Sequence, residues 1–199
     1  MSAALVQNKN APHTFVDDLE SLFYVILWLL VMYTPNSLSP EDRMSFIKSV
    51  LDPEQFNGMG GTAKADFLQA QNTLRQLKFD NRPKLKSLLI QLATLFSVRY
   101  EEKPSKIDFD LLDAFGRELH HKQRLPAWRY KERSTNLKSH SHIIKMITEC
   151  IENPNEWPDD DPAAWQSLFG PPDEGKKRKT KTGWELSDRP IKKLRLESQ

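Results

Sequence analysis

The 199 residues are 38% hydrophobic and 28% charged, which fits one domain with a modest core plus extensions. The single cysteine, Cys150, excludes an internal disulfide and a multi-cysteine zinc site. The net charge of +2 conceals two unlike parts: positions 175–199 hold nine Lys or Arg against three acids, a net of +6, while positions 1–174 hold 20 basic and 24 acidic side chains, a net of −4.

In chain order, residues 1–12 lack periodicity and read as a loose lead-in. His13 to Tyr33 is the first expected helix: a small acidic cap, then an apolar run with no polar face. Such a helix either spans a membrane or forms the buried axis of a larger helical domain. The uninterrupted apolar part runs only from Leu22 to Tyr33, and a bilayer needs about 20 residues. The residues before it are acidic (Asp17, Asp18, Glu20) where a signal peptide would be positive. The buried axis is the reading that remains.

Thr34-Pro35-Asn36-Ser37 stops this helix, and Ser39-Pro40-Glu41-Asp42 opens the next. Ser39 can accept first-turn amides, Pro40 suits the first helical position, and the acids favour the positive end of the helix dipole. Met44, Ile47, Val50 and Leu51 repeat at helical spacing until Asp52-Pro53, and Asn57-Gly58-Met59-Gly60-Gly61 reads as a loop. A third helix is expected over about 62–79, with Phe67, Leu68, Leu74 and Leu77 apolar. After Asn81-Arg82-Pro83, a fourth carries Leu85, Leu88, Leu89, Leu92, Leu95 and Phe96. A fifth is expected from Asp108 to Arg124 and a sixth from Ser141 to Glu152, closed by Asn153-Pro154. A short turn around Trp165 and Phe169 precedes the polar tail from Pro171, which reads as disordered. No alternating run is long enough for a strand, so the expected fold is all-α, with a domain over 13–170 and a tail over 171–199.

Several constellations imitate chemistry. Gly58-Met59-Gly60-Gly61 lacks the flanking strand and helix of a phosphate cradle, Asp108-Phe109-Asp110 lacks the glycine of a metal-binding Asp-Phe-Gly, and Ile143-Ile144-Lys145 lies in a helical pattern rather than a strand. His120-His121 and His140-x-His142 have no cysteine or acid at ligand spacing, so no metal is expected. Asp159-Asp160-Asp161 lies between prolines and reads as a solvated turn. Cys150 falls on the apolar face Ile143, Ile147, Ile151 and reads as a small core residue, with nothing nearby to depress its pKa.

The string His13-Thr14-Phe15-Val16-Asp17-Asp18-Leu19-Glu20-Ser21-Leu22-Phe23-Tyr24-Val25-Ile26-Leu27-Trp28 resembles the fungal-type protein kinase family. Casein-kinase-like enzymes carry a similar Asp-Asp-Leu-Glu-Ser-Leu-x-Tyr string. The resemblance covers about residues 10–170, is specific over the first 25, and differs at Asp17, where many members have His. It implies the helical C-terminal lobe of a protein-kinase-like fold around a central helix, in which Asp18 holds the catalytic-loop backbone, as a carboxylate can by accepting amides. It also implies what a working kinase requires: a Gly-rich loop, a strand lysine, a catalytic Asp with its Asn, and Asp-Phe-Gly. In the family these precede the central helix, and this chain begins just before it. No catalytic residue and no cofactor are therefore expected, and the chain reads as a pseudokinase-like lobe, inactive alone.

The tail gives the other functional signal. Lys176-Lys177-Arg178-Lys179, then a spacer over positions 180–191, then Lys192-Lys193-Leu194-Arg195 has the layout of a bipartite nuclear import signal. The expected partner is a nuclear import receptor, and the expected location the nucleus. A helical protein-interaction module is the alternative function, with non-specific nucleic-acid binding as its rival: counterion release would drive it and Trp184 could stack.

Overall fold

The computed structural model describes residues 1–8, 10–51, 60–80, 82–114, 122–152 and 165–168. Nine helices occur among these: α1 (Ala3–Gln7), α2 (Phe15–Tyr33), α3 (Pro40–Phe46), α4 (Gly60–Ala70), α5 (Asn72–Gln76), α6 (Pro83–Ser97), α7 (Lys106–Ala114), α8 (Pro126–Asn136) and α9 (Ser141–Ile151). No strand is present among the described residues; one isolated bridge joins Asn36 to Phe79. The fold is all-α.

The helix starts follow from local chemistry. At α2, the Asp17 carboxylate reaches back to accept the Thr14 amide at 2.9 Å and the Thr14 hydroxyl at 2.7 Å, closing the first turn. Ser39 caps α3 by accepting the Asp42 amide at 3.0 Å, with Pro40 next to it. Ile47–Leu51 then continues α3 as one wider π turn. Pro83 opens α6, the helix richest in buried residues.

The core lies between α2 and α6. Phe23, Leu27 and Val31 from α2 meet Leu89, Leu92 and Phe96 from α6, with the Phe23 and Phe96 rings 5.9 Å apart. Leu68 of α4, Leu74 of α5, and Ile143, Met146 and Cys150 of α9 complete it. The burial expected of Cys150 is observed. Ser37 donates its amide to the Lys78 carbonyl at 3.0 Å and Asp80 donates to Pro35 at 3.3 Å, so the loop after α2 is tied to the loop after α5.

The structure differs from the sequence reading at four points. The single helix expected over 62–79 is two, because Gln71 adopts a left-handed backbone, φ 54°, between α4 and α5. Its side chain holds that turn by donating to the Leu68 carbonyl and the Thr94 hydroxyl, both at 3.1 Å, which offsets the strain of a non-glycine residue there. The first residues are not loose: α1 packs on α4, and Ser2 and Ala3 are fully buried. The helix expected from Asp108 to Arg124 starts earlier, at Lys106, and is described as far as Ala114; residues 115–121 lie outside the described part, and the chain turns at 123–125 before α8. Finally, α2 is not buried all round, because Phe15, Leu22, Val25 and Leu29 are exposed.

Candidate functional site

The acidic cap that sequence reasoning singled out, Asp17, Asp18 and Glu20, lies in the first turns of α2, and the structure separates two neighbouring carboxylates there. Successive helical residues point about 100° apart, so Asp17 and Asp18 cannot face the same way. Asp17 turns inward and is buried, as is Glu20 one turn on. Asp18 turns outward with its side chain 71% exposed, and its Oδ1 lies 3.2 Å from His13 Nε2.

Arg99 meets the two inward carboxylates. The turn after α6 carries it there: Arg99 donates its amide to the Phe96 carbonyl and Tyr100 donates to Ser97, which aims both side chains back at α2. Arg99 Nη2 donates to Asp17 Oδ1 at 2.6 Å, and Nη1 donates to Glu20 Oε2. The Tyr100 hydroxyl donates to Glu20 at 2.8 Å and accepts the Ala4 amide at 3.1 Å. Ser2 donates its hydroxyl to Asp17 Oδ1 at 2.7 Å, and the Ala3 amide donates to Glu20 Oε1 at 2.8 Å. Three segments far apart in sequence thus share one buried cluster.

Electrostatics follow from these contacts. Burial works against the Asp17 charge, but hydrogen bonds from Arg99, Thr14 and Ser2 outweigh it and hold the carboxyl well below the usual carboxylate range. Burial, together with the facing Glu20, raises the Tyr100 hydroxyl well above the usual tyrosine value. Beside the cluster, Lys64 is buried with Nζ donating to the Met1 carbonyl at 2.9 Å and lying 4.7 Å from the Tyr24 ring centre. Burial lowers its pKa, and Glu20 partly opposes that. Arg99 pairs with both Asp17 and Glu20, so the cluster joins the start of α2 to the turn after α6.

The outward face of α2 is different. Phe15, Asp18, Leu22, Val25 and Leu29 recur at spacings of three, four or seven, so they form one stripe along the helix. Its apolar members are 44% to 52% exposed. Tyr33 continues the same stripe at the C-terminal end, and there the Trp165 ring covers it edge-on, centres 5.4 Å apart. The strap 165–168 is fixed at this end, with the Gln166 amide donating to the Met32 carbonyl at 2.7 Å and Arg43 Nη1 donating to the Ser167 carbonyl. Arg43 is itself buried and also donates to the Leu38 carbonyl at 2.9 Å, while its Nε has no hydrogen-bond partner among the described residues.

The remaining sequence candidates fall elsewhere. Asp108 accepts the amide and hydroxyl of Ser105, at 2.8 Å and 2.7 Å, and so caps α7. Lys145 lies in α9, 3.8 Å from Glu149. Gly61 lies in α4 rather than in a loop, facing α1 so closely that a Cβ there would stand 2.7 Å from the Ala3 carbonyl oxygen. His140 is exposed and His142 half-buried; among the described residues no group of three His, Cys, Asp or Glu could hold a metal ion. His120, His121, Asp159, Asp160, Asp161 and all the tail residues Lys176, Lys177, Arg178, Lys179, Lys192, Lys193 and Arg195 lie outside the described residues. Among the described residues no helix is long and apolar enough to cross a membrane.

Sequence reasoning missed Arg99, Tyr100, Lys64 and Arg43. The one signal for the first two is their place directly after the apolar stripe of α6, where a helix ends beside the core. Comparison of the chain with models of known protein families, with curated proteins and with solved structures finds no match.

Proposed function

We propose that this chain forms a helical docking lobe resembling the C-terminal lobe of the fungal-type protein kinases, and that it does not transfer phosphoryl groups on its own. The observation that carries this reading is the position of Asp18. Its carboxylate stands exposed at the first turn of α2, at the head of an open apolar stripe. A loop lying against that stripe could donate backbone amides to it, the role that the family resemblance assigns to this residue. The 199-residue sequence holds no G-x-G-x-x-G string and no Asp-Phe-Gly, and no strand that would carry a nucleotide-binding lysine is present among the described residues. Titration with Mg·ATP by calorimetry should give no stoichiometric heat; clear one-to-one binding would overturn the reading.

The tail supports a second reading, delivery to the nucleus by an import receptor. The two basic clusters, separated by positions 180–191, suit a receptor groove that takes both at that spacing. Removing residues 175–199 from a fluorescent fusion should abolish nuclear enrichment, and unchanged enrichment removes this reading. If the tail binds nucleic acid instead, affinity for duplex DNA should fall steeply with salt.

A further inference from the structure

We propose that the outward face of α2 binds a helix of a partner protein, laid antiparallel, with apolar residues at heptad spacing and a Lys or Arg in its last turn facing Asp18.

The exposed residues of α2 are Phe15, Asp18, Leu22, Val25 and Leu29, and every other residue of the helix is buried or half-buried. Their spacing alternates between three and four, the seam that one helix of a coiled coil presents to another. Four of the five are large apolar side chains on one face, a continuous patch rather than scattered surface residues. From Phe15 to Leu29 the seam spans about 21 Å at about 1.5 Å per residue, the length of about four turns of a facing helix.

Charge decides which occupant fits. Asp18 interrupts the apolar seam with its side chain 71% exposed, and α2 holds no Lys or Arg to answer it. His13 lies 3.2 Å away, but its side chain is itself more than half exposed, so the carboxylate stays open to a second cation. A second copy of this chain suits the seam poorly. Paired parallel, Asp18 would face Asp18; paired antiparallel about Leu22, it would sit beside Val25, Ile26 and Leu29 without a cation. A lipid surface fits no better, because interfacial helices carry Lys and Arg beside their apolar face. The half-buried flanks here are Leu19, Ser21, Ile26 and Trp28, all uncharged. A partner helix with a cation opposite Asp18 removes the mismatch that the other occupants leave.

The helix dipoles set the orientation. Asp18 stands in the first turn of α2, at its positive end, and a cation is favoured at the negative, C-terminal end of its own helix. Placing the two charges opposite each other runs the helices antiparallel and lets each charge suit its own dipole. Leu22, Val25 and Leu29 then meet the apolar residues on the N-terminal side of that cation. The inference deepens the docking role proposed above and rests on its open face, and it gives Asp18 a side-chain partner. The two fail separately: Mg·ATP binding overturns the kinase-like reading and leaves the seam as it is.

The test uses the full chain and a fluorescein-labelled synthetic peptide of about 20 residues, long enough to form a helix on binding. The peptide has Leu at the heptad seam positions, Lys at the seam position in its last turn, and Ala and Gln elsewhere. Fluorescence anisotropy should show saturable binding, weakened at least tenfold by Leu22→Asp. Asp18→Lys should weaken it about fivefold and should favour, by a similar factor, a peptide carrying Glu in place of that Lys. Matching circular-dichroism melts establish that the variants keep the fold. No saturable binding, equal binding by the Leu22→Asp chain, or a charge swap without reciprocal preference overturns the proposal. So does self-association of the chain alone that Leu22→Asp abolishes in sedimentation equilibrium, because the occupant is then a second copy.

Discussion

Arg99 and Asp17 lie 82 positions apart in sequence and 2.6 Å apart in space, and this contact fastens the end of α6 to the start of α2. The same guanidinium reaches Glu20, so one cation serves two buried acids. An arrangement of this kind gives little net stability over an apolar replacement, yet removing one partner leaves the others buried and unpaired.

Arg99→Met should therefore destabilise the fold by about 3 kcal/mol or more. The triple variant Arg99→Met, Asp17→Asn, Glu20→Gln should recover much of that loss, because no uncompensated charge remains. Urea titrations of the single and triple variants provide the check, and the recovery measures coupling within the cluster. Equal losses in the two would show that the side chains act by packing alone.

Acid should loosen the same junction. Burial opposes the Asp17 charge, but Arg99, Thr14 and Ser2 bond the charged form more strongly, so the folded-state pKa lies below that of the unfolded chain. The unfolded state binds its proton first as pH falls. The stability that Asp17 contributes is therefore complete above the ordinary aspartate value of about 4 and is lost as pH falls below it toward the folded value. Unfolding free energies measured from pH 6 to pH 2 should drop across this range, and Asp17→Asn should make the profile shallower.

Gly61 controls how closely α1 approaches α4. A Cβ at this position would stand 2.5 Å from Gln7 Cγ and 2.7 Å from both the Gln7 amide nitrogen and the Ala3 carbonyl oxygen. Two of those atoms are backbone, so α1 itself would have to move. Gly61→Ala should cost about 1–3 kcal/mol despite alanine's better helix propensity. Hydrogen exchange should speed up at residues 3–7 while the amides of α6 keep their protection.

The parts of the fold legible in sequence were those driven by periodic apolar burial. Helices α2, α6 and α9 show their stripes directly, and the Ser39-Pro40 start of α3 shows its capping chemistry. Two helices escaped because long-range polar contacts hold them. Helix α1 is five residues long and is held by Asp17, Glu20 and Tyr100. Helix α8 has one buried residue, Ala127, and is anchored by Arg133, which donates to both Glu101 oxygens at 2.6 Å. The candidate site divides in the same way. The acidic cap was visible as a feature, but which of Asp17 and Asp18 faces inward depends on where Arg99 arrives, and local sequence carries no record of that.

Arg43 offers a test of how the strap is held. Its guanidinium is buried, burial lowers its pKa, and its hydrogen bonds go to carbonyl oxygens rather than to a carboxylate. Desolvating such a charge is costly and the gain is modest. Arg43→Met removes both, because methionine follows a similar path through the core without a charge to bury. Global stability should therefore change by less than about 1.5 kcal/mol. The strap should respond differently, since the Ser167 carbonyl loses its Arg43 donor while the Trp165–Tyr33 contact and the Gln166–Met32 bond remain. Hydrogen exchange at Gln166 should accelerate at least tenfold while α2 exchanges as before. An unchanged rate at Gln166 would mean that contacts other than the Arg43–Ser167 bond secure the strap.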